Sequence, residues 1–286
     1  MSKSNSGAGR QSRAGDSGPN GEQSASGDRS AIDTALFNDT DIKVVYGSIP
    51  DPNVDMQQMV DQLATDMFGR TVTEKELINL VAPPDGATVT IETDGFDLTF
   101  RVEHPLYRSY KREVFRNMAG ELEMHNDYFF LESHYVGQDP VSGEHIWKTD
   151  APKGYGATVF SRQVVAARKL GIGKISVFGI RSDATALRPG ANGYYTWPRF
   201  GYNGKLPSFR SLVRDNSPAH RPPSHTESFY THEADFRSLM SSETGRTFWR
   251  KYGNDMDGTF DTARSSQSSS DLRRYLLESG LSSQGV

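Results

Sequence analysis

The stretch KGYGATVFSRQVVAARKLGIGKISVFGI, residues 153–180, decides the fold. It opens on the turn Gly154-Tyr155-Gly156. Val159, Phe160, Val164, Ala167 and Leu170 then keep helical spacing, Gly171 interrupts, and Ile175, Val177 and Ile180 form a short apolar run. The spacing predicts a helix over 157–170, and Gly171 is the residue type that takes the left-handed backbone of a helix C-cap. The apolar run has the length and flanks of a buried strand. A buried strand after a crossover helix pairs in parallel with the strand before it, because parallel pairs need such a crossover. The stretch is therefore the crossover unit of an α/β sheet.

The same turn has a chemical use. Glycines let backbone approach an anion, and the first N–H groups of a helix point at it with a favourable dipole. The turn Gly154-Tyr155-Gly156 is accordingly a candidate diphosphate site. A tight turn serving packing alone accounts for the same residues, since the chain holds 27 glycines.

Upstream, Ile42, Val44 and Tyr46 alternate as a strand that ends at Gly47. Met56, Met59, Val60, Leu63 and Met67 recur at helical spacing. Thr73 with Glu76 reads as a capping box for a second, short helix, ended by Pro83 and Pro84. Val89 and Ile91, the turn Asp94-Gly95, and then Phe96, Leu98, Phe100 and Val102 spell an antiparallel hairpin. Further strands are expected at Arg112–Asn117 and Tyr128–Val136, and a loop at 137–150. Downstream of 208 we expect an irregular extension with short helices at Glu233–Met240 and Asp271–Leu276. There Phe248, Trp249 and Tyr252 would anchor the tail while Arg250 and Lys251 stay wet. Residues 1–34 form the third unit. Their first thirty positions hold eight Ser, six Gly and no Val, Ile, Leu or aromatic residue, so they cannot offset their own ordering entropy.

This order of elements resembles the GNAT superfamily of N-acetyltransferases. In that family a strand, two helices and antiparallel strands precede a glycine turn that cradles the acetyl-CoA pyrophosphate. The resembling stretches are Lys153–Gly156, Lys174–Ile180 and Asn192–Tyr202, within residues 35–207. The resemblance implies a mixed, mostly antiparallel, seven-stranded sheet flanked by helices. It also implies acyl transfer from acetyl-CoA to an amine-bearing acceptor, with no metal. The pyrophosphate would lie on Lys153, Gly154, Tyr155, Gly156 and Ala157, and Tyr194 or Tyr195 would be the acid. Two positions depart from the family pattern: Ala151 stands where Gln or Arg is usual, and Trp197 where a tyrosine is usual. Those departures motivate the alternative, a GNAT-like interaction or structural module without catalysis. Glu132, alternating with His134 on the expected strand 128–136, is the candidate base, against the reading that this is a solvent face.

Composition excludes other chemistries. Zero cysteines remove disulfides, thiolate nucleophiles and Cys-ligated metals. With 32 basic and 36 acidic side chains, nucleic-acid binding by blanket phosphate neutralisation is not expected. His220, His225 and His232 lack metal-ligand spacing, and no serine sits in a G-x-S-x-G elbow. Glu121 and Glu123 are paired as in ADP-ribosyltransferases, without further support. No apolar run approaches a membrane span and no apolar leader is visible, so a cytoplasmic chain is expected, with any protein partner meeting the C-terminal extension.

Overall fold

The structure, a computed structural model, describes residues 36–47, 55–138, 145–181, 193–216 and 218–286. The segment expected to be an unpacked tail, 1–34, lies outside them. The centre is a seven-stranded sheet in the order β1-β2-β3-β4-β5-β8-β9. The strands are β1 (Lys43–Tyr46), β2 (Thr88–Thr93), β3 (Leu98–Glu103), β4 (Tyr107–Arg116), β5 (Leu122–Leu131), β8 (Lys174–Gly179) and β9 (Met256–Asp261). Strands β1 with β2 and β5 with β8 run parallel, and the other neighbouring pairs are antiparallel. The class expected from sequence is thus the one observed. A separate hairpin, β6 (Ser133–Gln138) with β7 (His145–Thr149), follows β5.

Two helices join β1 to β2. Helix α1 (Met56–Phe68) buries Met56, Val60, Ala64 and Met67. Helix α2 (Glu74–Asn79) begins with the capping box: Thr73 Oγ1 accepts from the Glu76 amide, and the Glu76 carboxylate accepts from the Thr73 amide. In the β2–β3 hairpin Val89, Ile91, Leu98 and Phe100 are fully buried, and each such side chain contributes about 1.5–3 kcal/mol through removal from water. The turn is longer than the dipeptide suggests. Thr93 pairs with Leu98, so Asp94–Asp97 form the loop, and Phe96 is exposed at its tip. The Asp94 carboxylate accepts from the amides of Phe96 and Asp97, which stabilises the four-residue form.

Helix α3 (Tyr155–Lys169) crosses from the β6–β7 hairpin to β8, with Gly171 at φ 76° behind it. Helix α4 (Gly193–Arg199) packs on β8. Residues 208–286 are more than an appended tail. After α5 (Phe209–Asp215), α6 (Glu227–Thr231), α7 (Phe236–Ser241) and α8 (Glu243–Tyr252), the chain supplies β9, the seventh strand. Helix α9 (Gln267–Glu278) then packs on β9. Trp249, Phe260, Leu272 and Leu276 are completely buried, so this portion shares the core of the sheet.

Candidate functional site

Strands β5 and β8 pair only from Glu123–Asn126 to Lys174–Val177, although both continue further. The gap beyond that pairing holds a cavity of about 370 Å³. Asn126, Asp127 and Phe129 of β5 form one wall, Val177 and Phe178 of β8 another, and Trp197 of α4 closes it. Gly154, Gly156 and Ala157 bring the start of α3 to the same space. A second cavity, of about 400 Å³, lies on another face of α3, against α2, and includes Lys75, Arg162 and Lys169.

The glycine turn divides its labour. Gly154 is the N-cap at φ 87°, and a Cβ there would stand 2.8 Å from a methyl of Leu281. Backbone and packing both require that glycine. Gly156 is helical, and a Cβ on it would only touch the Phe129 ring at 3.4 Å. Its missing side chain leaves room beside Phe129. No side chain caps α3. The Tyr155 amide donates to Pro152 O at 3.0 Å and the Thr158 amide to Gly154 O at 3.0 Å, which leaves the Gly156 and Ala157 amides as the first-turn donors without a backbone partner among the described residues.

Strand β5 is bulged at the cavity. Lys111 pairs with Tyr128 and Arg112 with Asn126, so Asp127 is the extra residue. Its carboxylate accepts from Lys111 Nζ at 3.0 Å, while the same ammonium lies 2.5 Å from Glu113 Oε1. Behind the bulge, Arg112 is almost wholly buried. One Nη donates to the carbonyls of Lys111 (2.8 Å) and Tyr128 (2.7 Å), which staples the bulge. The guanidinium lies over the rings of Tyr110 (4.2 Å) and Phe129 (5.4 Å), and its Nε has no protein partner among the described residues. Burial pushes its pKa down from the ordinary arginine value. Next to it the Asn126 amide donates to Tyr202 Oη at 2.9 Å and exchanges hydrogen bonds with Gln163.

The residues expected from sequence fall in different places. Lys153 is exposed beside the turn. Gly154, Gly156 and Ala157 reach the cavity, but the Tyr155 side chain belongs to the core: it stacks on Phe37 and its hydroxyl meets that of Tyr107 at 2.6 Å. Burial pushes both phenols up. The expected strand 128–136 is two strands broken at Glu132, whose amide still donates to Leu106 O at 2.8 Å in the register of the β4–β5 pair. Glu132 is exposed and His134 stands on β6, 4.0 Å from Asp150, so the two do not share one strand, and neither contributes to the cavity wall. Tyr194 Oη donates to Arg250 O at 2.8 Å, and the Tyr195 ring carries the guanidiniums of Arg199 at 5.5 Å and Arg250 at 6.0 Å. From α4 it is Gly193, Thr196 and Trp197 that reach the cavity instead. Ala151 is buried, its amide held by Thr149 Oγ1. Glu121 pairs with Lys174 at 2.8 Å. Among the described residues no group of three metal-ligating side chains occurs.

Sequence reasoning passed over Asp127 and Asn126. The visible signal was two adjacent polar residues, Asn126-Asp127, where the alternation of Leu122, Glu123, Met124 and His125 breaks off before the apolar run 128–131, but a bulge has no sequence mark of its own.

Searches of known protein families, of curated proteins and of solved structures find no match to this chain. Among the described residues no helix is long and apolar enough to cross a membrane.

Proposed function

We propose that the chain transfers an acyl group from an acyl-CoA thioester, acetyl-CoA in the simplest case, to an amine. One observation carries the reading: the parallel strands β5 and β8 part beyond Asn126 and Val177, and the cavity in that gap reaches the uncapped start of α3. A thioester arm in the cavity would direct its pyrophosphate to the Gly156 and Ala157 amides, with Lys153 alongside. The acceptor nitrogen, once neutral, attacks the thioester carbonyl. The C–N bond forms, the C–S bond breaks, and the nitrogen's second proton passes through water to the leaving thiolate, which departs as the CoA thiol. The ammonium proton passes to Asp127, the carboxylate in the cavity wall. Under this reading Asp127 takes the part that the sequence suggested for Glu132, and neither Tyr194 nor Tyr195 is asked to act as the acid.

Calorimetric titration of the full chain with acetyl-CoA and with free CoA tests the reading, with Gly156→Glu as the control. Micromolar binding that disappears in Gly156→Glu, while circular dichroism stays unchanged, is the expected result. Absence of heat at millimolar CoA would overturn it and leave an interaction module of the same fold.

A further inference from the structure

Six aromatic rings face the cavity: Phe129, Phe130, Phe178, Trp197, Phe200 and Tyr275. Among the described residues Asp127 is the one carboxylate in that wall, and no Lys, Arg or His shares it. The aromatic lining continues outward. Phe178 is 43% exposed, Tyr128 is 36% exposed, and the Tyr128 and Phe130 rings lie 6.2 Å apart. The charge is unbalanced as well. One ammonium, Lys111, is shared between Asp127 and Glu113, which leaves this corner with one net negative charge.

Such a wall discriminates by chemistry. Aromatic faces attract cations through their quadrupole and cover apolar surface at the same time. A polyhydroxylated amine would lose hydration against six rings that the hydroxyls of Ser133, Thr149 and Thr196 return only in part, the Asn126 amide being taken up by Gln163 and Tyr202. A small cation with an apolar body satisfies both the rings and the carboxylate. Resting on the acyl-transfer reading above, we propose that the acceptor is a primary amine on a short chain that ends in an aromatic ring. Its ammonium sits by Asp127 and its ring lies on Phe178 and Phe130.

Three probes test this on the full chain by calorimetry: 2-phenylethylamine, the neutral 2-phenylethanol, and Nα-acetyl-lysine amide. We expect 2-phenylethylamine to bind at least about tenfold tighter than either of the others, a difference of about 1.4 kcal/mol. Asp127→Asn should abolish the preference for the amine over the alcohol. Phe178→Ala, a change at a half-exposed ring, should weaken both aromatic probes and leave the lysine amide unaffected. Equal binding of amine and alcohol, or tighter binding of the lysine amide, overturns the acceptor class. A parallel CoA titration separates the two readings. CoA binding without amine selectivity removes the acceptor class alone, whereas amine selectivity without CoA binding removes acyl transfer, and with it the acceptor role.

Discussion

The indole Nε1–H of Trp249 donates to the carbonyl of Tyr194 at 2.8 Å. That carbonyl lies four residues before Pro198, which has no N–H to give it and still sits inside α4. A residue from α8 therefore completes the hydrogen bonding of a helix more than fifty positions upstream, and the turn that places Trp197 against the cavity survives its proline.

Trp249→Phe should consequently leave a buried carbonyl unsatisfied while keeping an aromatic ring beside Phe236. We expect a loss of about 1–3 kcal/mol, seen as a lower urea midpoint at unchanged slope. An unchanged midpoint would show that the Tyr194 carbonyl finds another donor.

Gly154→Ala carries two burdens, a left-handed backbone and a collision with Leu281. Backbone strain of this kind costs about 1–3 kcal/mol. Thermal melts of Gly154→Ala, Leu281→Ala and the double variant should show the double to be less destabilised than the sum of the singles. Strict additivity would mean that Leu281 simply moves aside.

The Tyr107–Tyr155 hydroxyl pair is buried, so either Phe substitution removes one partner and strands the other. Each single change should cost about 1 kcal/mol, and the double variant Tyr107→Phe/Tyr155→Phe less than twice that. CoA affinity should not change in Tyr155→Phe, because this side chain lies in the core. A fall in affinity without loss of stability would put the phenol back in the site.

Glu76 supplies a pH test. Hydrogen bonding from Arg70, then from the Thr73 amide and hydroxyl, brings its carboxyl from 4.5 to about 2. The folded value lies below the unfolded one, so the contribution to stability is fully present above about 4.5 and is lost as pH falls toward 2. An NMR titration of the Glu76 side-chain carboxyl should give a midpoint near 2, and Thr73→Ala should raise it. A midpoint at the ordinary glutamate value would mean that the capping box is not held in solution.

Local patterns in the sequence were legible wherever one short segment dictated its own structure. The capping box at Thr73, the helix after Gly154 and the parallel strand behind it all follow from spacing. The β2–β3 alternation was legible too, except that Asp94 stabilises a loop two residues longer than its dipeptide suggests. Longer-range facts were not legible. Strand β9 reads Met-Asp-Gly-Thr-Phe-Asp, with Met256, Gly258 and Phe260 buried, and a glycine in the middle of so short an alternation weakens its signal. Strand β5 was expected to run straight past Glu132, and the register change at Arg112 depends on pairing with β4. The turn that borders the cavity was therefore legible in the sequence, whereas the carboxylate in the cavity wall was not.

The seventh strand has a consequence for how the chain is made. Strand β8 leaves the ribosome well before β9, with α4 to α8 translated between them. Throughout that interval one edge of the nascent sheet has no neighbour, and Ile175 and Val177, both buried in the finished protein, lie on that edge strand. An open apolar edge is a template for pairing with another chain. Release of the polypeptide before Met256–Asp261 would leave β8 without its outer neighbour and the core without Phe260, Leu272 and Leu276, so truncations upstream of β9 should aggregate rather than yield a smaller folded unit.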